Sequence, residues 1–451
     1  MTSSLLSSKE QSMVPDMPEL ETVDFDMLVE DWVYHGEGNG SILFAYAGRD
    51  SRMQNQLLRL VKGEEISSDS VDSLAIAANN PADELLPEKE VQKRLAKTCE
   101  SLMYTNKVIR SLVGDAYILP QRLVHVTASF IDSLNAAADQ LRPAHRTHKR
   151  ADPRQAFGVI IFDMVGSQVK GNDKVCIEIK PKWGFLPKSE YISEKTSVKR
   201  RVCRYCLHQY LKHGADKADS SFCPLDLYSG NRWRMEHALD CLASSPQNNL
   251  RVFVNGGIVG SADNGGLDTD IIPEWALLKQ QIVDILLSDG ILRKLAWLQS
   301  RLDHLDIEGV YPRYKRAIEN GVLDGSQPRI KDWLHACSAF NMRQEDAQPS
   351  ANSSLDAVDD RQAVLEFVLS ATLKDISILI QIDSWPKSAS TGMTCNSDNE
   401  KNNLPNYKIA VIDTDAKKLA KLPEYLEKDQ KIVEYYLQCG PDPFDQKICT
   451  E

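Results

Sequence analysis

Short apolar runs bounded by polar or turn-forming residues recur along the 451-residue chain. They predict buried strands at Ser41–Ala47, Leu57–Val61, Val159–Phe162, Val175–Ile179, Arg251–Val254, Ser377–Ile382 and Lys408–Ile412. Apolar positions three and four apart predict helices at Glu88–Leu112, Val198–Lys212, Arg232–Leu242, Pro273–Leu287, Ile291–Leu305 and Leu355–Thr372. Three polar, aperiodic stretches read as loops: Lys62–Pro81, Arg343–Arg361 and Trp385–Pro405. Residues 1–23 and 439–451 read as a flexible leader and tail. Strands gathered early and helices later indicate an α+β chain of two lobes, a smaller β-rich one over residues 24–162 and a larger one over 163–438.

A hydrophobic content of 42% with 26% charged residues excludes a collagen-like or wholly disordered chain. No run approaches the roughly 20 apolar residues that span a bilayer, so no membrane span is expected. Ten irregularly spaced cysteines predict free thiols in a reducing compartment, cytoplasm or nucleus, and a monomer is expected. Net charge is 53 minus 64, or −11, which argues against general adhesion to nucleic acid. Against that background residues 180–212 carry nine Lys or Arg and two Glu, and residues 142–154 carry five basic residues and one Asp. Two basic islands in an acidic protein suggest a polyanion site.

The segment Trp32-Val-Tyr-His-Gly36-Glu37-Gly38-Asn39-Gly40-Ser41 precedes a predicted strand. Its glycines would let backbone amides approach a phosphate, or simply form a hairpin turn. Arg59 on the next strand stands where a cation would reach phosphates, or is an exposed edge residue. In Val175-Cys-Ile-Glu178-Ile-Lys180-Pro-Lys182-Trp-Gly-Phe-Leu-Pro187, alternation turns Glu178, Lys180 and Lys182 one way and Val175, Ile177 and Ile179 into a core. A solvated, lysine-protected edge would show the same pattern. Arg200, Arg204, His208 and Lys212 recur every four residues as a helical stripe, and Arg142 and Arg146 lie upstream. Asn248, Asn249 and Arg251 open a strand, where they would bind oxygens or serve as turn residues. Asp375 and Asp413 adjoin strands and would suit a base and a Mg²⁺ ligand for phosphoryl transfer. Lys417, Lys421 and Tyr425 follow at i, i+4 and i+8, a pattern a solvated helix face shares. Cys203 and Cys206 form half a zinc motif. With only scattered Cys223, His213 and His237 as further ligands, they read as thiols packed against a helix.

Taken together, the chain resembles the plant inositol-pentakisphosphate 2-kinase family from about Asp31 to Tyr436. The blocks that carry the resemblance are Trp32 to Gly38, Glu178 to Pro187, Pro224 to Gly230, Pro246 to Phe253, Asp306 to Gly309, Leu373 to Ile378 and Ile412-Asp413. The Glu-X-Lys-Pro-Lys block is specific to this family, whereas the glycine loop is not. The resemblance implies a two-lobed fold distantly related to protein kinases. Its activity would be ATP- and Mg²⁺-dependent phosphorylation of the 2-hydroxyl of inositol 1,3,4,5,6-pentakisphosphate, giving phytate.

By position the resemblance assigns Gly36, Gly38, Asn39, Gly40, Ser41 and Arg59 to ATP phosphates, and Phe162, Asp163 and Met164 to the hinge beside adenine. Arg146, Lys180, Lys182, Lys212, Asn248, Asn249, Arg251, Lys417, Lys421 and Tyr425 would surround the inositol phosphates. Asp375 would be the base, Lys180 a second catalytic group, and Asp413 the Mg²⁺ ligand. Plant members carry a His, Cys-X-X-Cys, His zinc site after the Asp306 block. Here Pro312 replaces the first His and no Cys-X-X-Cys lies before His335, so that structural zinc is expected to be absent. Lys421 stands where an arginine is usual, exchanging a planar donor for a point charge. A non-catalytic inositol-phosphate-binding paralogue and a nucleic-acid-binding module are the competing readings. A protein kinase is disfavoured, because the chain lacks His-Arg-Asp, Asp-Phe-Gly and Ala-Pro-Glu elements.

Overall fold

The computed structural model describes residues 28–38, 40–63, 88–155, 157–166, 174–213, 221–261, 266–267, 275–346, 358–383, 404–439 and 448–451. They fall into two compact units, residues 1–102 with 119–163, and residues 103–118 with 164–451.

The first unit holds a five-stranded antiparallel sheet of β1 (Trp32–Glu37), β2 (Ser41–Tyr46), β3 (Gln56–Val61), β4 (Gln121–His125) and β5 (Phe157–Phe162), in the order β1-β2-β3-β5-β4. Alternation gives the sheet two apolar faces. Ile42, Phe44, Leu58, Leu60, Val124 and Ile160 meet Ile131 and Leu134 of α3 (Ala128–Ala138). On the other side, Leu123, Phe157 and Val159 meet Cys99 and Leu102 of α1 (Glu88–Met103). The predicted helix Glu88–Leu112 forms with a π-helical stretch at Tyr104–Ile109, ahead of α2 (Arg110–Val113). Its second half belongs to the other unit, because Tyr104, Val108, Ile109 and Leu112 are buried in that unit's core.

The second unit contains β6 (Lys174–Ile179), β7 (Leu250–Val254), β8 (Gly257–Ser261), β9 (Gly266–Leu267), β10 (Ser377–Asp383) and β11 (Tyr407–Ile412), in the antiparallel order β11-β10-β6-β7-β8-β9. Its helices are α4 (Arg204–His213), α5 (Pro224–Tyr228), α6 (Arg232–Ser244), α7 (Trp275–Asp289), α8 (Ile291–Leu302), α9 (Asp306–Glu319), α10 (Ile330–Asp346), α11 (Asp360–Leu373) and α12 (Leu422–Cys439). Asp359 caps α11 by accepting the Gln362 N–H at 2.8 Å. Nearly every residue of α11 is buried, which makes it the central helix of this unit. The chain end, expected to be flexible, is fixed in its last residues: Cys449 is buried and its N–H donates to the Arg201 carbonyl at 2.9 Å. Among the described residues no helix is long and apolar enough to cross a membrane.

Candidate active site

Ile179 pairs with Leu250 and with Ile378, and Ser377 with Ile412. In this antiparallel register β6 and β11 finish, and β7 and β10 begin, at one end of the second sheet. Lys180, Asn249, Arg251, Asp375 and Asp413 therefore converge there. The Lys180 ammonium pairs with Asp413, Lys417 pairs with Asp375, and Lys182 Nζ lies 3.6 Å from Asp375. Ser377 Oγ sits 2.8 Å from Glu178 and 3.1 Å from Asp413, and Arg251 donates to Glu178 at 3.2 Å.

Lys182 and Asp413 adopt left-handed backbone, with φ of 62° and 59°. Non-glycine residues reach this region at a cost of roughly 1–3 kcal/mol, so neighbours must hold them there. Gln299 does so for Lys182: its Nε2 donates to the carbonyls of Lys182 and Leu373, both at 3.0 Å, and its Oε1 accepts the Gly184 N–H at 2.8 Å. One buried amide thus braces the lysine motif and the chain just before Asp375. Lys374, beside that carboxylate, pairs with buried Asp303 and lies 3.9 Å from the Trp183 ring centroid. Gly184 is required by space, since a Cβ there would meet the Tyr228 ring at 2.7 Å.

The electrostatics favour an incoming anion. Burial acts to raise the Asp375 carboxyl, but the Lys417 hydrogen bond and the charges of Lys417, Lys182 and Lys180 outweigh it and hold it below its usual range. Burial depresses the Lys182 ammonium, with Lys180 and Lys212 adding to the effect while Asp375 opposes it. His208 is pushed down to about 4 by burial and by Lys428, Arg204, Lys212 and Lys182, so its ring is neutral at pH 7. Burial, Arg204 and Lys212 also depress Lys428. Positive charge is crowded here beyond what the local carboxylates neutralise.

Several residues expected at the site take other positions. Asn249 is 1% exposed, its amide donates to the Tyr205 hydroxyl at 3.0 Å, and its carbonyl accepts from Lys180 N at 2.9 Å. It is an interior brace, while Asn248 and Lys212 are exposed. Tyr425 adjoins the cluster, its phenol raised by burial and by Asp375. Lys421 pairs locally with Glu424 at 3.9 Å. Arg200 donates to the Ser189 and Ile192 carbonyls, and Arg204 pairs with Asp429 at 3.1 Å, so the basic stripe is partly structural. Lys428 and Gln299 escaped the sequence reading. Lys428 continues the face of Tyr425 three residues on, a usable signal, whereas nothing in the sequence singles out Gln299.

The Asp306 to Gly309 block lies elsewhere in the unit. Asp306, Glu308 and Asp429 surround the Lys199 ammonium at 2.7, 2.7 and 2.8 Å. Pro312 sits inside α9, and His335 is exposed on α10.

In the first unit, Gly36 belongs to β1 and Gly38 N–H donates to the Ser41 carbonyl at 2.9 Å; Asn39 is outside the described residues. Neither Gly36 nor Gly38 is left-handed, and a Cβ on Gly36, Gly38 or Gly40 would meet nothing within 4 Å. That open space leaves room for a group to approach the backbone. Glu37 anchors the hairpin. It accepts from Arg142 at 2.9 and 2.8 Å and pairs with Lys62, all three side chains being buried. Arg142 is therefore spent inside the fold rather than offered to a polyanion. Arg59 alternates with Leu58 and Leu60 and shares the face of its partner Val159. Arg146, also of this unit, donates to His145 at 3.2 Å. The chain passes between the units at Leu102–Met103, Ile118–Leu119 and Asp163–Met164.

Among the described residues, clusters of three or more metal-ligating side chains are two: the acidic set around Lys199, and Cys203, Cys206, Cys223 and Cys449. Cys203 and Cys206, read as thiols packed against a helix for want of a second pair of ligands, have Cys223 and Cys449 beside them in the fold. His237 instead stacks on Trp233.

Residues 34–431 match the family model described as inositol-pentakisphosphate 2-kinase. An inositol-pentakisphosphate 2-kinase of Oryza sativa is 29% identical over 457 residues, covering 94% of this chain and 98% of the relative. Its counterpart from Arabidopsis thaliana is 28% identical over 440 residues, covering 90% and 93%, and that from Danio rerio is 27% identical over 500 residues, covering 93% and 96%. With all but the first two residues of its sheets inside the matched span, the chain belongs to the inositol-pentakisphosphate 2-kinase family.

Proposed function

We propose that the chain transfers a phosphoryl group from ATP to the 2-hydroxyl of inositol 1,3,4,5,6-pentakisphosphate, forming the hexakisphosphate. The observation that carries this reading is the pair Asp375 and Asp413 at one sheet end, set among Lys180, Lys182 and Lys417. Substrate phosphates compete with the carboxylates for these ammonium groups. As Lys417 and Lys182 turn to phosphate, Asp375 loses the partners that keep its pKa low and becomes a better acceptor for the hydroxyl proton. Lys180 remains to offset charge on the transferred group. Asp413, a half-exposed carboxylate at a strand end, offers the hard oxygen that Mg²⁺ prefers; the bound ion would neutralise phosphate charge. Gly36, Gly38, Gly40, Ser41 and Arg59 would hold ATP phosphates. A glycine hairpin in a β-rich unit, followed in the chain by a unit bearing base and metal carboxylates, matches the order of parts in protein kinases.

The test incubates the protein with ATP, Mg²⁺ and inositol 1,3,4,5,6-pentakisphosphate and resolves the products by chromatography. Hexakisphosphate is the expected product. Calorimetric binding of the pentakisphosphate with no product would instead make the chain a non-catalytic binder.

A further inference from the structure

We propose that the π-helical turn beginning at Tyr104 is a positioning element for the two carboxylates of the site, Thr105 holding Asp413 and Tyr104 holding the chain ahead of Asp375. The inference rests on the reading of Asp413 as metal ligand and Asp375 as base given above, and it concerns residues that act through those two. All of them belong to the second unit.

Asp413 follows the last residue of β11 in left-handed backbone, with φ of 59°, and so needs a brace as Lys182 needs Gln299. The next residue supplies it. Thr414 is buried, and its Oγ1 lies 2.6 Å from Oγ1 of Thr105, which is buried as well. A threonine hydroxyl inside a helix ordinarily bonds back to the carbonyl three or four residues earlier. That of Thr105 is aimed across at the strand end. Separating the pair would leave two hydroxyls short of a partner away from water, which resists any shift of Thr414 and of the residue before it. The Asp413 carboxylate itself contacts the Lys180 ammonium and, at 3.1 Å, Ser377 Oγ. A cation arriving at that carboxylate repels Lys180 and leaves the threonine pair untouched, so this brace persists when the site is filled.

The neighbouring side chain reaches the other carboxylate. Tyr104 Oη lies 3.3 Å from Thr372 Oγ1, and the Thr372 carbonyl accepts the Asp375 N–H at 3.0 Å. The buried Tyr104 ring is fixed edge-on against Trp333, with centroids 5.7 Å apart. Two consecutive residues thus tie down the end of α11 and the end of β11, the two places from which Asp375 and Asp413 project. Helical stretches with i→i+5 bonding are rare, occur mostly as single turns and frequently mark functional sites. Tyr104–Ile109 is such a turn, and it buries Tyr104 and Thr105 side by side.

The test compares Thr105→Val, Thr105→Ser, Thr414→Val and Tyr104→Phe with the wild type in the full chain. Thr105→Val should raise the Mg²⁺ concentration for half-maximal hexakisphosphate formation by about 5-fold, the scale of one net hydrogen bond, with KM for the inositol substrate little changed. Mn²⁺ binding, followed by electron paramagnetic resonance with a non-hydrolysable ATP analogue present, should weaken by a similar factor. Amide hydrogen exchange at Asp413 to Asp415 should quicken in the same variant. Thr105→Ser keeps the hydroxyl and should restore all three readings. Thr414→Val breaks the pair from the other side and should match Thr105→Val, deciding the matter should that variant fail to fold. Tyr104→Phe should instead lower kcat by about 5-fold at saturating Mg²⁺, with the Mg²⁺ requirement unchanged. A folded Thr105→Val with wild-type Mn²⁺ affinity and exchange would overturn the role, as would lost stability with an unchanged Mg²⁺ requirement, the mark of a purely structural pair. The manganese and exchange readings do not depend on turnover. Mn²⁺ affinity retained by Asp413→Asn would remove the metal assignment beneath the inference, whereas affinity lost there and retained by Thr105→Val would remove the brace alone.

Discussion

Two lysine–carboxylate clusters lie in the second unit, built on opposite balances of charge. Around Lys199 a single ammonium faces Asp306, Glu308 and Asp429, in side chains only 4–14% exposed. At the sheet end Lys180, Lys182 and Lys417 face Asp375 and Asp413, whose carboxylates are 53% and 51% exposed. The first cluster is sealed and has excess negative charge, which burial relieves by raising Asp306 to about 6 against the pull of Lys199. It ties α9 and α12 to the turn that carries Lys199, and asks nothing of the solvent. The second is open and has excess positive charge, which leaves it open to an anion from solution. The same chemical groups brace the fold in one place and, on the function proposed above, meet the substrate in the other. Burial and the sign of the surplus tell them apart.

The comparison breaks most visibly on replacing one member of each cluster. Asp375→Asn should lower kcat by about 10²–10⁴-fold, the usual contribution of a positioned base, while costing no more than the roughly 1 kcal/mol of a solvent-screened pair in urea denaturation. Lys199→Met should do the reverse, losing about 3–5 kcal/mol in urea denaturation because the Asp306 and Glu308 carboxylates lose their cation and Asp429 keeps Arg204 alone. A loss below about 1 kcal/mol, the value of a surface pair, would remove the structural role. Gln299→Leu joins the two properties. It orphans the Gly184 N–H and the Leu373 carbonyl and leaves the Lys182 carbonyl to the Tyr228 hydroxyl, costing about 1–3 kcal/mol, and should lower kcat more than it alters KM for ATP.

The smallest effect is on pH dependence. Asp306 has a folded pKa of about 6 against an ordinary 3.8, so the folded state binds more protons between those values. Its contribution to stability therefore grows as pH falls from about 6 toward 3.8, and Asp306→Asn should lose that increment in denaturation measured across the window. Asp375 works in the opposite sense. Its lowered pKa gives stability that is present above 3.8 and lost as pH falls through the folded value.

The strands at β2, β3, β5, β6, β7, β10 and β11 were legible because each is a compact apolar run. β1 was hidden by Gly36 and its bulge, β4 by having only Leu123 and Val124 buried, and α9 by Gly309 and Pro312. Gly309 is there because a Cβ would strike the Tyr191 ring at 2.8 Å. The clustering of Lys180, Lys182, Asp375 and Asp413 was readable because each adjoins a strand end in a local motif. Glu37 with Lys62 and Arg142, Gln299, and the joining of Cys449 to Cys203 were not. Their partners are remote in sequence and chosen by tertiary packing, which leaves no periodicity to find. The same blindness affected Asn249 and Arg142, whose polar character suggested ligand contact while folding placed both inside.

The most direct test of the surplus cations as the substrate site is steady-state kinetics of Lys180→Ala combined with Lys182→Ala, beside the urea midpoint of the same preparation. KM for inositol 1,3,4,5,6-pentakisphosphate should rise by about 10-fold or more, as expected when charge-assisted bonds of about 1.5–3 kcal/mol are lost, with KM for ATP and the midpoint little changed. Unchanged kinetics toward the inositol substrate, or an equal rise in KM for ATP, would contradict the assignment.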